Sequence, residues 1–288
     1  SPEKVQCMLN EVSAVIFEGV SPASPVESEL SSIRTAALLD NLDKLNRVEE
    51  IGKVYLATND RRLAELARLE GATVILNQIS PRSFHFGAEF KQLILEHRLS
   101  KVFYFSGAGC PLIKVEEISA ICRRLLSSPR LLYANNIQSA DLVAFTVTGD
   151  FSGVNLPSMD NALATALRDQ LGLELQLMPF SLGLLFDLDT PADALVLGDS
   201  SFAGTRTGAC LSSLNWDYSR LRRAKEVLNG YYQEVALFGR VGAPVIECLN
   251  SNLKIRLRVF SEERGMKALG RVEAGQVVSL MGCLIDRV

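Results

Sequence analysis

Between Ser13 and Leu126 the chain alternates short apolar runs with longer amphipathic ones, and this alternation constrains the fold more than any other feature. Ser13–Phe17, Lys53–Thr58, Val74–Leu76 and Lys101–Ser106 read as strands. Helical patterns fill Leu30–Val48, Arg61–Glu70, Ala88–His97 and Val115–Leu126. A Pro/Ser-rich loop, Gly19–Ser28, follows the first strand, Asn59-Asp60 provides a turn and a helix cap, and Gly71 stops a helix. The strands are continuous apolar runs without in/out alternation, as expected when helices cover both faces of a parallel sheet. Crossovers between parallel strands are right-handed, so the loops that follow the strands collect along one edge. The expected fold class is α/β with a mostly parallel, doubly wound sheet.

The pattern loosens after Leu126. Arg130–Ala134 and Leu142–Thr148 read as strands and Asp160–Gly172 as a helix. Leu184–Phe186 reads as a last buried strand running into Asp187-Leu-Asp189-Thr-Pro-Ala-Asp193. Residues 198–213 are rich in Gly, Ser and Thr and read as a linker. With 288 residues there is room for two domains, here an α/β domain over 1–200 and a small basic α+β domain over 206–288. Charge supports the division. Residues 1–205 hold 17 Lys+Arg against 25 Asp+Glu, whereas residues 206–288 hold 13 against 8. In the second part Asp217–Asn229 reads as a basic helix. Lys254–Phe260 alternates, with Lys254, Arg256 and Arg258 on one face, as on the solvated side of an antiparallel sheet.

Several function classes are excluded on these grounds. Hydrophobic residues at 48% and charged residues at 22% are the balance of a globular chain, not a disordered one. The most apolar stretch, Ser181–Gly198, is interrupted by Asp187, Asp189 and Asp193, so no bilayer span and no membrane partner are expected. Residues 1–20 lack a basic segment followed by an apolar run, and a cytoplasmic location is expected. Six scattered cysteines and two separate histidines, His85 and His97, support neither a zinc site, a disulfide framework nor a histidine triad. The acidic pI of about 5.6 and a basic tail without interleaved exposed aromatics argue against a nucleic-acid partner. Homo-oligomerisation is left open.

Three strand-end segments should meet on one edge of the sheet: Ala57–Arg62, Ser106–Pro111 and Phe186–Pro191. Ligands bind at such edges because helix N-termini and free amides point there. Candidate ligand contacts are Asp60, Arg61, Arg82, His85, Gly87, Gly107, Gly109, Asn135 and Asn136, with Asp187 and Asp189 as candidate metal ligands. Gly107-Ala-Gly109 would let a ligand approach the backbone closely. Each candidate also has a plainer role. Asp60 can cap its helix, His85 can be a packed loop residue, and one of Asp187 and Asp189 can cap the Thr190-Pro191 turn.

The element order, Val54-Tyr-Leu-Ala-Thr-Asn-Asp60, the Leu63-Ala-x-x-Ala-x-x-x-Gly-Ala72 helix, Pro111-Leu112 after the fourth strand, and the Asp-Leu-Asp-Thr-Pro-Ala-Asp193 ending together carry a resemblance. Over roughly residues 13–197 the chain resembles the glycosyltransferase-A-type nucleotidyltransferases. It is most similar to the group that holds the molybdopterin-cofactor and phospholactate guanylyltransferases and the sugar-phosphate cytidylyltransferases. The resemblance implies a nucleotide-diphospho-sugar transferase-like fold and a nucleotide or phosphorylated small-molecule partner. It also implies Mg²⁺, held by an Asp two residues before Pro-Leu, and a glycine-rich basic loop for the triphosphate. Both devices are altered here. Gly109 stands at the metal position, and Glu18–Glu29 offers one glycine, no Lys or Arg and three carboxylates. Such a loop repels a phosphate by on the order of 1 kcal/mol per close exposed charge pair. Three functions remain open: a relative that lost catalysis and serves as a scaffold or regulator, transfer with Asp60, Asp187 or Asp189 holding the metal, and binding through strand-end amides. A nucleotide-sugar glycosyltransferase is a further alternative.

Overall fold

The computed structural model describes residues 11–19, 24–76, 84–239, 241–261, 271 and 274–276. Its contacts divide the chain into two units, residues 1–214 and 215–288. In the first unit strands β1 (Val12–Glu18), β2 (Ile51–Thr58), β3 (Thr73–Leu76) and β4 (Lys101–Ser106) alternate with helices α1 (Pro25–Asn46), α2 (Arg61–Leu69) and α3 (Phe86–Glu96). Helix α4 (Val115–Ser127), strands β5 (Leu132–Ala134) and β6 (Leu142–Thr146), helix α5 (Leu163–Leu171) and strand β7 (Leu175–Leu177) follow. The seven strands form one sheet in the order β3-β2-β1-β4-β6-β5-β7. All neighbouring pairs are parallel except those of β6, which runs antiparallel to β4 and β5. The α/β, mostly parallel architecture expected from the apolar runs is present.

The antiparallel strand decides where the polar residues go. Its first residue pairs with Phe105 near the end of β4, so Asp141, just before it, lies at the edge where the parallel strands carry their C-termini. The Ser106 amide donates to the Asp141 carbonyl at 2.8 Å and fixes that neighbourhood. Both faces of the sheet are packed, with Val15, Tyr104, Val143 and Phe145 among the fully buried positions. Helix α3 is anchored by a ring cluster in which Phe86 stacks on Phe90 at 5.2 Å and Phe90 meets Tyr104 edge-on at 5.3 Å. Helix α1 starts at Pro25, in what reads as loop from sequence. Ser24 caps it by accepting from the Glu27 amide, and proline suits the first helical turn because no amide is needed there.

Two further segments differ from the sequence reading. The apolar run before Asp187 is one helical turn, α6 (Leu182–Leu185), not a strand. Ser181 caps it through the Leu184 amide at 3.2 Å, and four apolar residues carry no period that separates the two states. The supposed linker, 198–213, follows directly on α7 (Pro191–Gly198) and holds α8 (Thr205–Ser213). Buried Asp40 of α1 accepts from the Arg206 amide (3.0 Å), the Thr207 amide (2.9 Å) and the Thr207 hydroxyl (2.7 Å). A carboxylate at a helix N-terminus satisfies free amides and meets the positive end of the dipole. Gly204 is needed beside it, since a Cβ there would lie 2.3 Å from the Asp40 carboxylate. Asp40→Ala is expected to cost about 2–4 kcal/mol, because several donors lose their acceptor in the interior. Urea denaturation checks this, and an unchanged midpoint would refute the capping role.

The second unit contains α9 (Ser219–Leu228), β8 (Glu234–Gly239), α10 (Ala243–Asn252) and β9 (Arg256–Ser261). β8 and β9 pair in parallel, not antiparallel as expected, because a helix rather than a tight turn joins them. Arg256 and Arg258 are exposed and Leu257 and Val259 half-buried, as the alternation implied. On the exposed face Phe238 and Phe260 stack at 4.8 Å beside Arg258, so the basic tail does present exposed aromatics.

Candidate functional site

Strand β1 ends in Glu18, whose carboxylate is almost fully buried. A buried carboxylate needs donors, and it has three. The Ala108 amide after β4 donates at 2.9 Å, and Arg34 of α1 donates through Nη2 at 3.0 Å and Nε at 3.2 Å. Arg34 also reaches the loop before α7, where Nη1 donates to the Leu188 carbonyl at 2.6 Å and to Asp189 Oδ1 at 3.2 Å. Burial works against the Arg34 charge, but the attraction of Glu18, then of Asp189 and Asp187, outweighs it and raises the pKa above the usual value. Gly107 has φ +56, and a Cβ on it would lie 2.1 Å from Glu18 Oε2. Glycine is required there by conformation and by space.

Two acidic residues adjoin Gly109. A Cβ at that position would lie 3.2 Å from Asp187 Oδ1 and 3.7 Å from the Asp141 Cβ. Asp187 and Asp141 therefore flank the position where the resemblance expects a metal-binding Asp. The Leu188 amide donates to the Gly109 carbonyl at 2.9 Å and pins the Asp187 loop to the end of β4. Burial first, then repulsion from Asp141 and Asp189, raises the Asp187 pKa to about 8. Burial, then Asp189, raises that of Asp141 to about 6. Asn135 holds the second of these acids in place, with Oδ1 accepting from the Asp141 and Leu142 amides at 3.1 Å and Nδ2 donating to the Leu184 carbonyl at 2.7 Å. Asp160 adds a third carboxylate to the β4 side, accepting from Ser106 Oγ at 2.6 Å and Tyr104 Oη at 2.8 Å.

The oxygen donors around Gly109 are of the class that Mg²⁺ takes. Among the described residues no group of three or more His, Cys, Asp or Glu side chains is arranged to hold a metal ion. A protein-only cage is therefore not what these residues build. A Mg²⁺ that arrives on phosphates needs only one or two carboxylates, and Asp141 with Asp187 meets that requirement.

Neither a protein-family model nor a curated protein matches the sequence. Solved structures do match. A protein of Desulfovibrio desulfuricans G20, described as a nucleotide-diphospho-sugar transferase, covers 72% of this chain with 100% of its own at 15% identity and a TM-score of 0.51. The fold is that of the nucleotide-diphospho-sugar transferases. A cytidylyltransferase of Leptospira borgpetersenii (13% identity, 75% of this chain, 94% of that one, TM-score 0.49) is less alike. A Methanothermobacter nucleotidyl transferase (10% identity, 71% and 100%, TM-score 0.47) is also less alike, and the assignment rests on neither.

Within this fold the remaining candidates separate into two groups. Gly107, Gly109, Asn135, Asp187 and Asp189 lie together at the strand-end edge. Most of the others are occupied locally. Asp60 caps α2, accepting from the Arg62 and Leu63 amides, and Arg61 is exposed in its first turn. His85 caps α3, its Nδ1 accepting from the Ala88 amide at 3.2 Å. Gly87 allows close packing, since a Cβ there would lie 2.6 Å from the Pro157 carbonyl. Asn136 closes a turn by accepting from the Gln138 amide at 3.1 Å. Arg82 lies outside the described residues, as do 20–23 of the loop after β1. The Thr190-Pro191 turn is capped by Thr190 and Asp193 in a reciprocal box, so neither Asp187 nor Asp189 is used for it. Asp189 instead pairs with Arg34. Sequence reasoning passed over Arg34, although it is the sole basic residue between Lys4 and Lys44 and sits just after an acidic loop.

Proposed function

We propose that the strand-end edge of the first unit binds a nucleotide with its Mg²⁺ and supports nucleotidyl transfer with a rearranged acid set. Asp141 and Asp187 take the role that an Asp at position 109 has in the guanylyl- and cytidylyltransferases the sequence resembles. The observation that carries this reading is that Asp187 Oδ1 and the Asp141 side chain, through its Cβ, border the side-chain space left by Gly109, close enough for the two acids to repel. When bound, Mg²⁺ would neutralise charge on the phosphates as the acceptor attacks and pyrophosphate leaves. The chain's own contribution is to hold two oxygens in register. Asn135 fixes Asp141, and the Leu188–Gly109 hydrogen bond fixes Asp187. Asp160, with Ser106 and Tyr104, lies on the β4 side and would face the acceptor. The acceptor would be a phosphorylated small molecule of the sugar-phosphate or cofactor kind, and the protein would work in the cytoplasm. Among the described residues no helix is long and apolar enough to cross a membrane.

A second reading, recognition without transfer, is favoured by one observation. Glu18 occupies the Ala108 amide, a strand-end donor that a phosphate could otherwise use. Thermal shift with GTP, CTP, ATP and UTP, with Mg²⁺ and with EDTA, separates the two readings. Transfer predicts stabilisation by one base only when Mg²⁺ is present, about 2.7 kcal/mol at a hundredfold excess over Kd, and its loss in Asp141→Asn and Asp187→Asn. Equal stabilisation in EDTA would remove the metal role.

A further inference from the structure

A guanidinium with two forked N–H groups and a backbone amide beside it is a donor set suited to phosphate as well as to carboxylate. Arg34 and Ala108 form such a set, and its acceptor is the chain's own Glu18. Three features are those of an anion site rather than a surface ion pair. The carboxylate side chain is 6% exposed and the guanidinium 21%. All three donors address the two oxygens of one group. Gly107 removes the Cβ that would fill the space they occupy, 2.1 Å from Oε2 and 2.9 Å from Arg34 Nη2. Glu18 is also the last residue of β1 and is followed by exposed Gly19, so the pair lies at the rim of the sheet.

We infer that Arg34 and the Ala108 amide constitute a metal-independent phosphate subsite, which Glu18 fills from within. The inference rests on reading this edge as a nucleotide site. It adds the class of group taken here, a terminal phosphoryl group whose oxygens replace Oε1 and Oε2. Entry exchanges one anion for another at the same donors, and Glu18 is the competitor that limits affinity. Arg34 also links this subsite to the Asp187–Asp189 loop through Leu188 and Asp189, so exchange at Glu18 is felt where the acids flank Gly109.

Inorganic pyrophosphate in EDTA is the probe, titrated calorimetrically into wild type, Glu18→Gln and Glu18→Gln/Arg34→Gln. The glutamine still accepts from Ala108 but releases the guanidinium. Glu18→Gln should bind at least about tenfold more tightly than wild type, the scale of one charge-assisted hydrogen bond regained, and the double variant should lose the gain. A natively folded Glu18→Gln with wild-type affinity, or a double variant that binds as tightly, overturns the inference. If Glu18→Gln does not fold, wild type decides. The Arg34 Nε–Hε resonance should move saturably with pyrophosphate, and a stationary resonance overturns the inference. Neither readout involves magnesium or Asp141 and Asp187, so failure here and failure of the proposed function are told apart.

Discussion

Asp187→Asn should stabilise the metal-free protein at pH 8 by about 2 kcal/mol, a gain that raises Tm by roughly 4–8 °C for a unit of this size. Unfolded, the carboxyl titrates near about 3.9. Folded, it titrates at about 8, with Asp141 at about 6. Between these values the folded state holds a proton that the unfolded state has released. Stability is therefore complete below about pH 4, declines as pH rises, and reaches its floor above about pH 8. The full shift would imply a larger penalty, but the two acids share their repulsion and Asp187 is only partly buried, which lowers the cost. Asparagine carries no such proton, and the variant should show a flatter stability profile from pH 4 to 8, measured by urea denaturation in EDTA. A destabilised variant at pH 8, or a wild type that gains stability across that window, would show that the acids do not repel as described. Sites that hold cations commonly carry this kind of unfavourable charge crowding and lose stability for it.

Arg34→Met should be the most damaging substitution at the edge, at about 3 kcal/mol. It leaves Glu18 buried with only the Ala108 amide, and removing one partner of a buried pair costs about 3–5 kcal/mol before the stranded acid takes up a proton. Adding Glu18→Gln should restore most of the loss, since a neutral amide no longer needs the cation. The double-mutant cycle would then give a large coupling energy. Additive effects would reduce the pair to a surface contact. The same cycle reports on the Asp187 loop, because Arg34 is its tether through the Leu188 carbonyl.

How far these features can be read from sequence depends on the distance over which their causes act. The parallel half of the sheet was legible because each strand, such as Lys101–Ser106, is an uninterrupted apolar run whose pattern is local. Helix α8 was hidden, since the residue that caps it, Asp40, lies 166 positions from Arg206 and the segment itself has linker composition. The strand assigned before Asp187 failed because four apolar residues fit a helical turn equally well. The approach of Asp141 to Gly109 follows from β6 running antiparallel, which the apolar run of that strand does not reveal. Arg34 depends on partners 16 and 155 residues away, which no spacing rule connects. Asp60 and His85 had motif-like settings, yet their polar atoms are spent on capping, the plainer of their two roles.

Crystals grown with Mn²⁺ and the nucleotide that stabilises the protein best would locate the bound metal by its anomalous peak. If Asp141 and Asp187 hold the metal, the peak lies at ligand distance from carboxylate oxygens of both, beside Gly109, and is absent in Asp141→Asn. A bound nucleotide with its metal on Asp60 or Asp189, or with no metal near Gly109, would contradict that assignment.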